Sequence, residues 1–142
     1  MKFIRLKEIR KESNITQKEV ANVLNVERST YTGWENGKNT IPLKQLIKIC
    51  NYYKCSIDYM TGLTNKNKYY CLIELDINVI GKNLKTLRIK NKLKQKDIYS
   101  FLKISSSSYS SYETNKILIP TEIIYKIAKK FNCSIDCIIT KK

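Results

Sequence analysis

The chain has 142 residues, with 27 Lys and Arg against 12 Asp and Glu, a formal net charge of +15, and no histidine. The charge points to a polyanionic partner: nucleic acid first, a membrane surface as its rival, and an A·T-rich genome that inflates lysine as the compositional alternative. Lack of histidine removes the commonest general base and the usual catalytic triads, and with no Gly-rich phosphate loop and no usefully paired carboxylates an enzyme is not expected.

The first segment, from about Lys2 to Glu12, places Phe3, Leu6, Ile9 and Arg10 at helical spacing, and the polar Ser13-Asn14 ends it. Thr16 is a natural N-cap, and Glu19 completes a capping-box pattern ahead of Val20, Val23 and Leu24, so a short second helix is predicted over Gln17 to Leu24. Asn25 tolerates the left-handed conformation and turns the chain into a third helix from about Glu27 to Asn36, which Gly37 stops. Pro42 fits the first turn of a fourth helix with Leu43, Leu46, Ile47 and Cys50 on one face, and Ser56 caps a short fifth through Met60. Residues 63–79 begin as a polar linker, Asn65-Lys66-Asn67-Lys68. They continue through Tyr69, Tyr70, Cys71, Leu72, Ile73 and Leu75, which fit a short strand, an early extension of the next helix, or a docking surface. Fully extended, the linker reaches on the order of 56 Å.

The chain then repeats itself. Leu6 to Asp58 and Leu84 to Asp136 align without a gap at an offset of 78, with 18 of 53 positions identical. Among them are Leu6/Leu84, Arg10/Arg88, Gln17/Gln95, Leu24/Leu102, Tyr31/Tyr109, Glu35/Glu113, Pro42/Pro120 and Cys55-Ser56-Ile57-Asp58/Cys133-Ser134-Ile135-Asp136. The expected fold is therefore all-α, two tandem five-helix domains over 1–62 and 80–142, the second starting less definitely near Ile80. The charge is uneven: +5 over residues 1–62, 0 over 63–79 and +10 over 80–142.

The five cysteines, Cys50, Cys55, Cys71, Cys133 and Cys137, have no CxxC spacing and no histidine to join them, so no metal site and no cofactor are expected. Cys55 and Cys133 read as buried reduced thiols. The longest apolar run is far below the roughly 20 residues that cross a bilayer and no signal peptide is evident, so the expectation is a soluble cytoplasmic protein with no membrane partner and no small-molecule substrate.

Thr16-Gln17, Ala21, Leu24-Asn25-Val26, Arg28-Ser29, Tyr31, Trp34-Glu35-Asn36-Gly37-Lys38, Pro42 and Ser56-Ile57-Asp58 resemble the phage-repressor helix-turn-helix family, which includes Cro and the lambda-like, XRE-type repressors. The resemblance spans 2–62 and 80–140. It implies five-helix DNA-binding domains whose third helix enters the major groove. It also implies a bacterial or phage transcriptional regulator, of the repressor type of phages and mobile elements, with double-stranded DNA as partner.

Within that frame Tyr31 and Trp34 read as core residues rather than stacking platforms, and Glu35 and Glu113 as inward-turned carboxylates with Arg10 and Arg88 as partners. Gln17 and Gln95 begin the second helix of each copy, where an amide and a backbone N–H can meet a phosphate; the bland alternative is a solvated first-turn residue. Arg28 is the sharpest base reader, since a guanidinium at the start of the third helix can bond guanine O6 and N7 together, with Ser29 and Thr32 as neighbours. Glu27 reads as a first-turn charge. Gly33 is explained by close approach of backbone to DNA, and Asn36, Lys38 and Asn39 by phosphate.

Copy two departs from this pattern. Lys94 replaces the capping Thr16, Tyr99 replaces Ala21, and Lys103 replaces Asn25 at the left-handed turn, so the residues specify the helix-turn-helix geometry less fully, while Asn115 in place of Gly37 still fits. Its third helix, Ser105 to Ser111, is uncharged, which predicts weak base discrimination by Ser106, Ser107 and Ser110 and a domain that grips phosphate, with Lys116 beyond them; a genuine second reading head and a protein-docking role are the other readings. Because Arg28 aligns with Ser106, one chain engaging DNA with both heads would favour an asymmetric site. Two alternatives stay open: a homodimer, and an antitoxin-like or adaptor protein that uses the fold to cover another protein.

Overall fold

The computed structural model describes residues 1–141, and the regular elements among them are ten helices. They divide into two compact units, Met1–Ile73 (domain one) and the chain from Glu74 onward (domain two). No helix is long and apolar enough to cross a membrane.

Domain one contains α1 (Ile4–Glu12), α2 (Gln17–Leu24), α3 (Arg28–Asn36), α4 (Leu43–Tyr53) and α5 (Ile57–Thr61). Local chemistry sets most of these limits. The Thr16 hydroxyl accepts from the Glu19 N–H at 3.1 Å while Glu19 Oε2 accepts from the Thr16 N–H at 2.6 Å, closing the capping box that starts α2. Asn25 and Gly37 take left-handed φ of 56° and 76° and end α2 and α3. The Ser56 hydroxyl caps α5 by accepting from the Tyr59 N–H. Pro42 sits at the N-cap of α4, one residue before the first turn, and Glu27 at the N-cap of α3 with no side-chain cap bond. The core gathers Phe3, Leu6, Val20, Leu24, Tyr31, Trp34, Ile41, Leu46, Ile49, Ile57 and Met60 from all five helices and their connections. Val23, although in phase with Val20 and Leu24 over this short helix, is exposed.

Residues 63–73 have no regular secondary structure and lie against domain one rather than hanging free. Two asparagines hold them. Asn51 of α4 pairs with both backbone groups of Ile73, donating to its carbonyl and accepting from its N–H at 2.8 Å each, much as a neighbouring strand would. Asn67 accepts from the Ser56 N–H and donates to the Lys54 carbonyl at 3.0 Å each. Ile73 is buried while Tyr70 and Leu72 face outward. Only Glu74–Asp76 then separate Ile73 from the first helix of domain two, and Tyr69–Ile73 form neither a strand nor an extension of that helix.

Domain two contains α6 (Ile77–Lys90), α7 (Gln95–Leu102), α8 (Ser106–Glu113), α9 (Thr121–Lys130) and α10 (Ile135–Ile139). Its first helix starts ahead of Ile80 because Asp76 accepts from the Asn78 N–H and caps it early. The helix-turn-helix that the residues of copy two specify less fully keeps the geometry of domain one at its turn. Lys103 adopts φ 56° and ψ 42° where Asn25 adopts 56° and 46°, so packing imposes the turn on a residue that does not favour it. At Lys94 half of the capping box persists, since Asp97 Oδ2 accepts from the Lys94 N–H at 2.8 Å. Ile80, Leu84, Ile98, Leu102, Tyr109, Ile124, Ile127, Ile135 and Ile138 form the core. Cys55 is buried, but Cys133 is only partly so, which corrects the expectation that both are buried thiols.

Both domains close the end of their last helix in the same way, using one side chain from the same place on the first helix. Arg5 donates to the carbonyls of Tyr59 and Thr64, and Asn83 donates to those of Ile138 and Thr140. These tie carbonyls at and just beyond the end of the last helix to the first helix.

Candidate nucleic-acid interface

A buried polar chain runs from α1 to the outer face of α3. Arg10 Nε and Nη2 donate to the two oxygens of Glu35 at 2.5 and 3.2 Å, and the Glu35 side chain is fully buried. The same carboxylate accepts from Gln17 Nε2 at 2.9 Å, and Gln17 Oε1 accepts from the Thr32 hydroxyl at 3.0 Å. Burial acts to raise the Glu35 pKa, but the hydrogen bonds from Arg10 and Gln17 outweigh it and hold the carboxyl below its ordinary value. The nearby Tyr31 hydroxyl is buried with no well-directed hydrogen bond of its own and adds to this more weakly. Arg10 is raised in turn by its bonds to Glu35. Burial also pushes the Tyr31 phenol well above its usual range, and that of Tyr53 up to about 12.

The outcome is that Gln17 is neither solvated nor free. Its side chain belongs to a half-buried residue and is fixed at both ends of the amide. Beside it, Gln17, Arg28, Ser29, Thr32, Gly33, Asn36 and Lys38 line one open groove. These are seven of the eight first-copy residues singled out from sequence, drawn from α2, α3 and the loop after α3; Asn39 is exposed but does not line the groove. Arg28, Ser29, Asn36 and Lys38 are exposed, whereas Tyr31 and Trp34 turn into the core. The division follows from helix periodicity, which sends 28, 29, 32 and 36 to one side and 31, 34 and 35 to the other. Gly33 lies at the floor of the groove, where an added Cβ would come within 3.1 Å of the Asn39 amide. A second recess, on the other side of Arg28, is lined by Lys18, Asn22, Asn25 and Glu27. Lys18 was not among the residues expected from sequence, and the signal that finds it is its recurrence as Lys96.

Domain two repeats the buried part closely. Arg88 Nε bonds Glu113 at 2.6 Å, Gln95 Nε2 bonds it at 2.9 Å, and the Glu113 carboxyl is likewise held low against the effect of burial. The outer face differs. Ser110, where Thr32 stands, makes no bond to Gln95 among the described residues. The serines of α8 largely satisfy each other: Ser105 caps the helix, donates to Ser108 and lies 3.2 Å from the Ser107 hydroxyl, while Ser111 donates to the Ser107 carbonyl. Ser106, Ser107 and Lys116 are exposed, and Ser110 is half-buried. No cluster of metal-ligating side chains occurs among the described residues.

Two short helices joined by a left-handed turn, with the N-terminal end of the second exposed, recur in both domains. Residues 6–60 match a family model described as helix-turn-helix, and residues 81–142 match one described as a helix-turn-helix domain. The chain belongs to the helix-turn-helix family. This tandem helix-turn-helix protein is similar to three regulators of Bacillus subtilis. It is 32% identical over 81 residues to the uncharacterized HTH-type transcriptional regulator YobD, covering 57% of this chain and 65% of that protein. To the uncharacterized HTH-type transcriptional regulator YqaE it is 38% identical, over 46% of this chain and 56% of the other. To the HTH-type transcriptional regulator ImmR it is 34% identical, over 45% and 50% respectively. The chain thus spans about half to two thirds of the length of these curated relatives. No solved structure gives a significant match. The family and the relatives are those of DNA-binding transcriptional regulators rather than of enzymes.

Proposed function

We propose that this protein is a sequence-specific double-stranded DNA-binding repressor of phage or mobile-element type, with α3 of domain one reading the major groove. The observation that carries this reading is the single groove in which Arg28, Ser29 and Thr32 stand beside Gln17 and Lys38. Arg28 is free of intramolecular partners among the described residues and sits at the N-terminal end of α3, where a guanidinium reaches base edges. Gln17 and Lys38 flank it as phosphate contacts, and the fixed amide of Gln17 holds the register. Gly33 keeps the groove floor open.

Domain two contributes mainly phosphate contacts, through Gln95, Lys116 and the exposed face of α8 with Ser106, Ser107 and Ser110. Repression follows from placing such a chain over a promoter. Selection of bound sites from random duplex DNA tests the whole reading. The expected product is a motif containing a guanine that Arg28 reads, with asymmetry if one chain uses both heads. Recovery of no enriched motif would refute sequence-specific binding.

A further inference from the structure

The repeat allows each position of domain two to be compared with its counterpart in domain one, and around α7 three exchanges run against local backbone preference. Asn14 becomes Lys92, Thr16 becomes Lys94 and Asn25 becomes Lys103. Lys92 and Lys103 hold positive φ of 57° and 56°, a region that asparagine tolerates better than lysine. Lys94 occupies the N-cap of α7 without a side-chain cap bond, where Thr16 caps α2. Each exchange gives up local stability and gains a cation, and all three lysines are exposed. A left-handed lysine also occurs at Lys54, where domain two has Asn132, so at the end of the fourth helix the exchange runs the opposite way. The positions bracketing α7 are therefore not part of a uniform drift of asparagine to lysine.

Acidic groups are lost at two further aligned positions. Glu27 of domain one becomes Ser105, and Glu12 becomes Lys90. Residues 16–38 carry three basic and three acidic side chains, whereas 94–116 carry four basic and two acidic. Both remaining acids are engaged, Asp97 with the Lys94 N–H and Glu113 in the core with Arg88. In domain one the recess beside the turn is lined by Lys18, Asn25 and Arg28, and the repeat puts Lys96, Lys103 and Ser106 in those places. Lys94 directly precedes Gln95, at the positive end of α7.

We propose that Lys92, Lys94 and Lys103, together with Lys96, form a rail that grips the sugar-phosphate backbone of duplex DNA beside α7. Strained or uncapped residues are retained where function needs them, and here what they supply is charge. The inference rests on domain two binding duplex DNA, and it names the groups that do so. A rail of this kind holds any sequence, and leaves discrimination to Arg28.

The test uses the full chain with Lys92→Asn, Lys94→Thr and Lys103→Asn together, the residues domain one already carries in the same backbone. Because these restore a cap and two favourable turn residues, the melting temperature of domain two is expected to rise by about 5 °C or more. Affinity for the selected site and for random duplex should fall by the same factor, about 10- to 100-fold at 0.1 M salt. The slope of log affinity against log salt should become shallower by about 3, near 0.9 for each phosphate that is no longer neutralised. An unchanged slope and affinity, with the parent chain still selecting its site, would overturn the rail and leave the proposed function standing. A parent chain that binds no duplex at all would overturn both. Loss of affinity together with a lower melting temperature would mean the lysines act structurally, against the inference. Phosphatidylglycerol vesicles serve as the anionic comparison, and vesicle binding tighter than duplex binding and abolished in the variant would assign the rail to a membrane surface instead.

Discussion

Replacing Glu35 by alanine should destabilise domain one selectively. The carboxylate accepts from Arg10 Nε at 2.5 Å, Arg10 Nη2 at 3.2 Å and Gln17 Nε2 at 2.9 Å, and its side chain is fully buried. Its removal leaves a guanidinium whose side chain is only 12% exposed without a counter-charge, and the Gln17 amide without its acceptor. Breaking a buried pair on one side costs about 3–5 kcal/mol. A domain of this size has a stability of only about 4–10 kcal/mol. With a urea dependence of about 1 kcal/mol per M, the midpoint should fall by about 3–5 M, which takes much of that range to the edge of unfolding in water. The protein supplies its own probe. Trp34 is the only tryptophan, lies in the core of domain one, and therefore reports that domain alone by fluorescence. Glu113→Ala should leave the Trp34 transition in place while far-UV circular dichroism loses the contribution of domain two. Arg10→Met combined with Glu35→Leu should recover most of the loss, because no charge is then left buried without a partner. A Trp34 midpoint that moves by less than about 1 M in Glu35→Ala would refute the assigned weight of this ion pair.

Further outcomes are expected. Arg28→Ala should relax base preference at one position, costing about 1–3 kcal/mol on the preferred site with a nearly unchanged salt slope, whereas Lys38→Ala should weaken all duplexes and shallow the slope by about 1. Equal losses on specific and random DNA for Arg28→Ala, measured by anisotropy titration, would remove its reading role. Asn51→Leu deletes both bonds to the Ile73 backbone and should release residues 66–73, seen as faster tryptic cleavage at Lys66 and Lys68 with an unchanged rate elsewhere. Glu35 and Glu113 both have lowered pKa values in the fold, so the stability they contribute is present above the ordinary carboxylate range and is lost as pH falls through their depressed values. Thermal unfolding followed from pH 7 downward should show melting temperatures steady to about pH 5 and falling below about pH 4. Melting temperatures that rise on acidification would contradict this sign.

The amino-acid sequence by itself determined the repeat, the all-helical class and most helix limits in domain one, because Thr16, Asn25, Gly37 and Ser56 act on the backbone within a few residues of themselves. It also sorted α3 into a buried and an exposed side, since a period of 3.6 residues needs no tertiary information. Tertiary structure alone decided what depends on groups distant in sequence. The left-handed turn at Lys103 is imposed by the packing of α7 and α8 against residue preference. Residues 63–73 are held by Asn51, whose pairing with Ile73 spans 22 positions. Gln17 becomes a fixed rather than a solvated amide only when Glu35 and Thr32, 18 and 15 positions away, converge on it. Local rules fix a residue's own backbone, but only folding can choose the partners of its side chain.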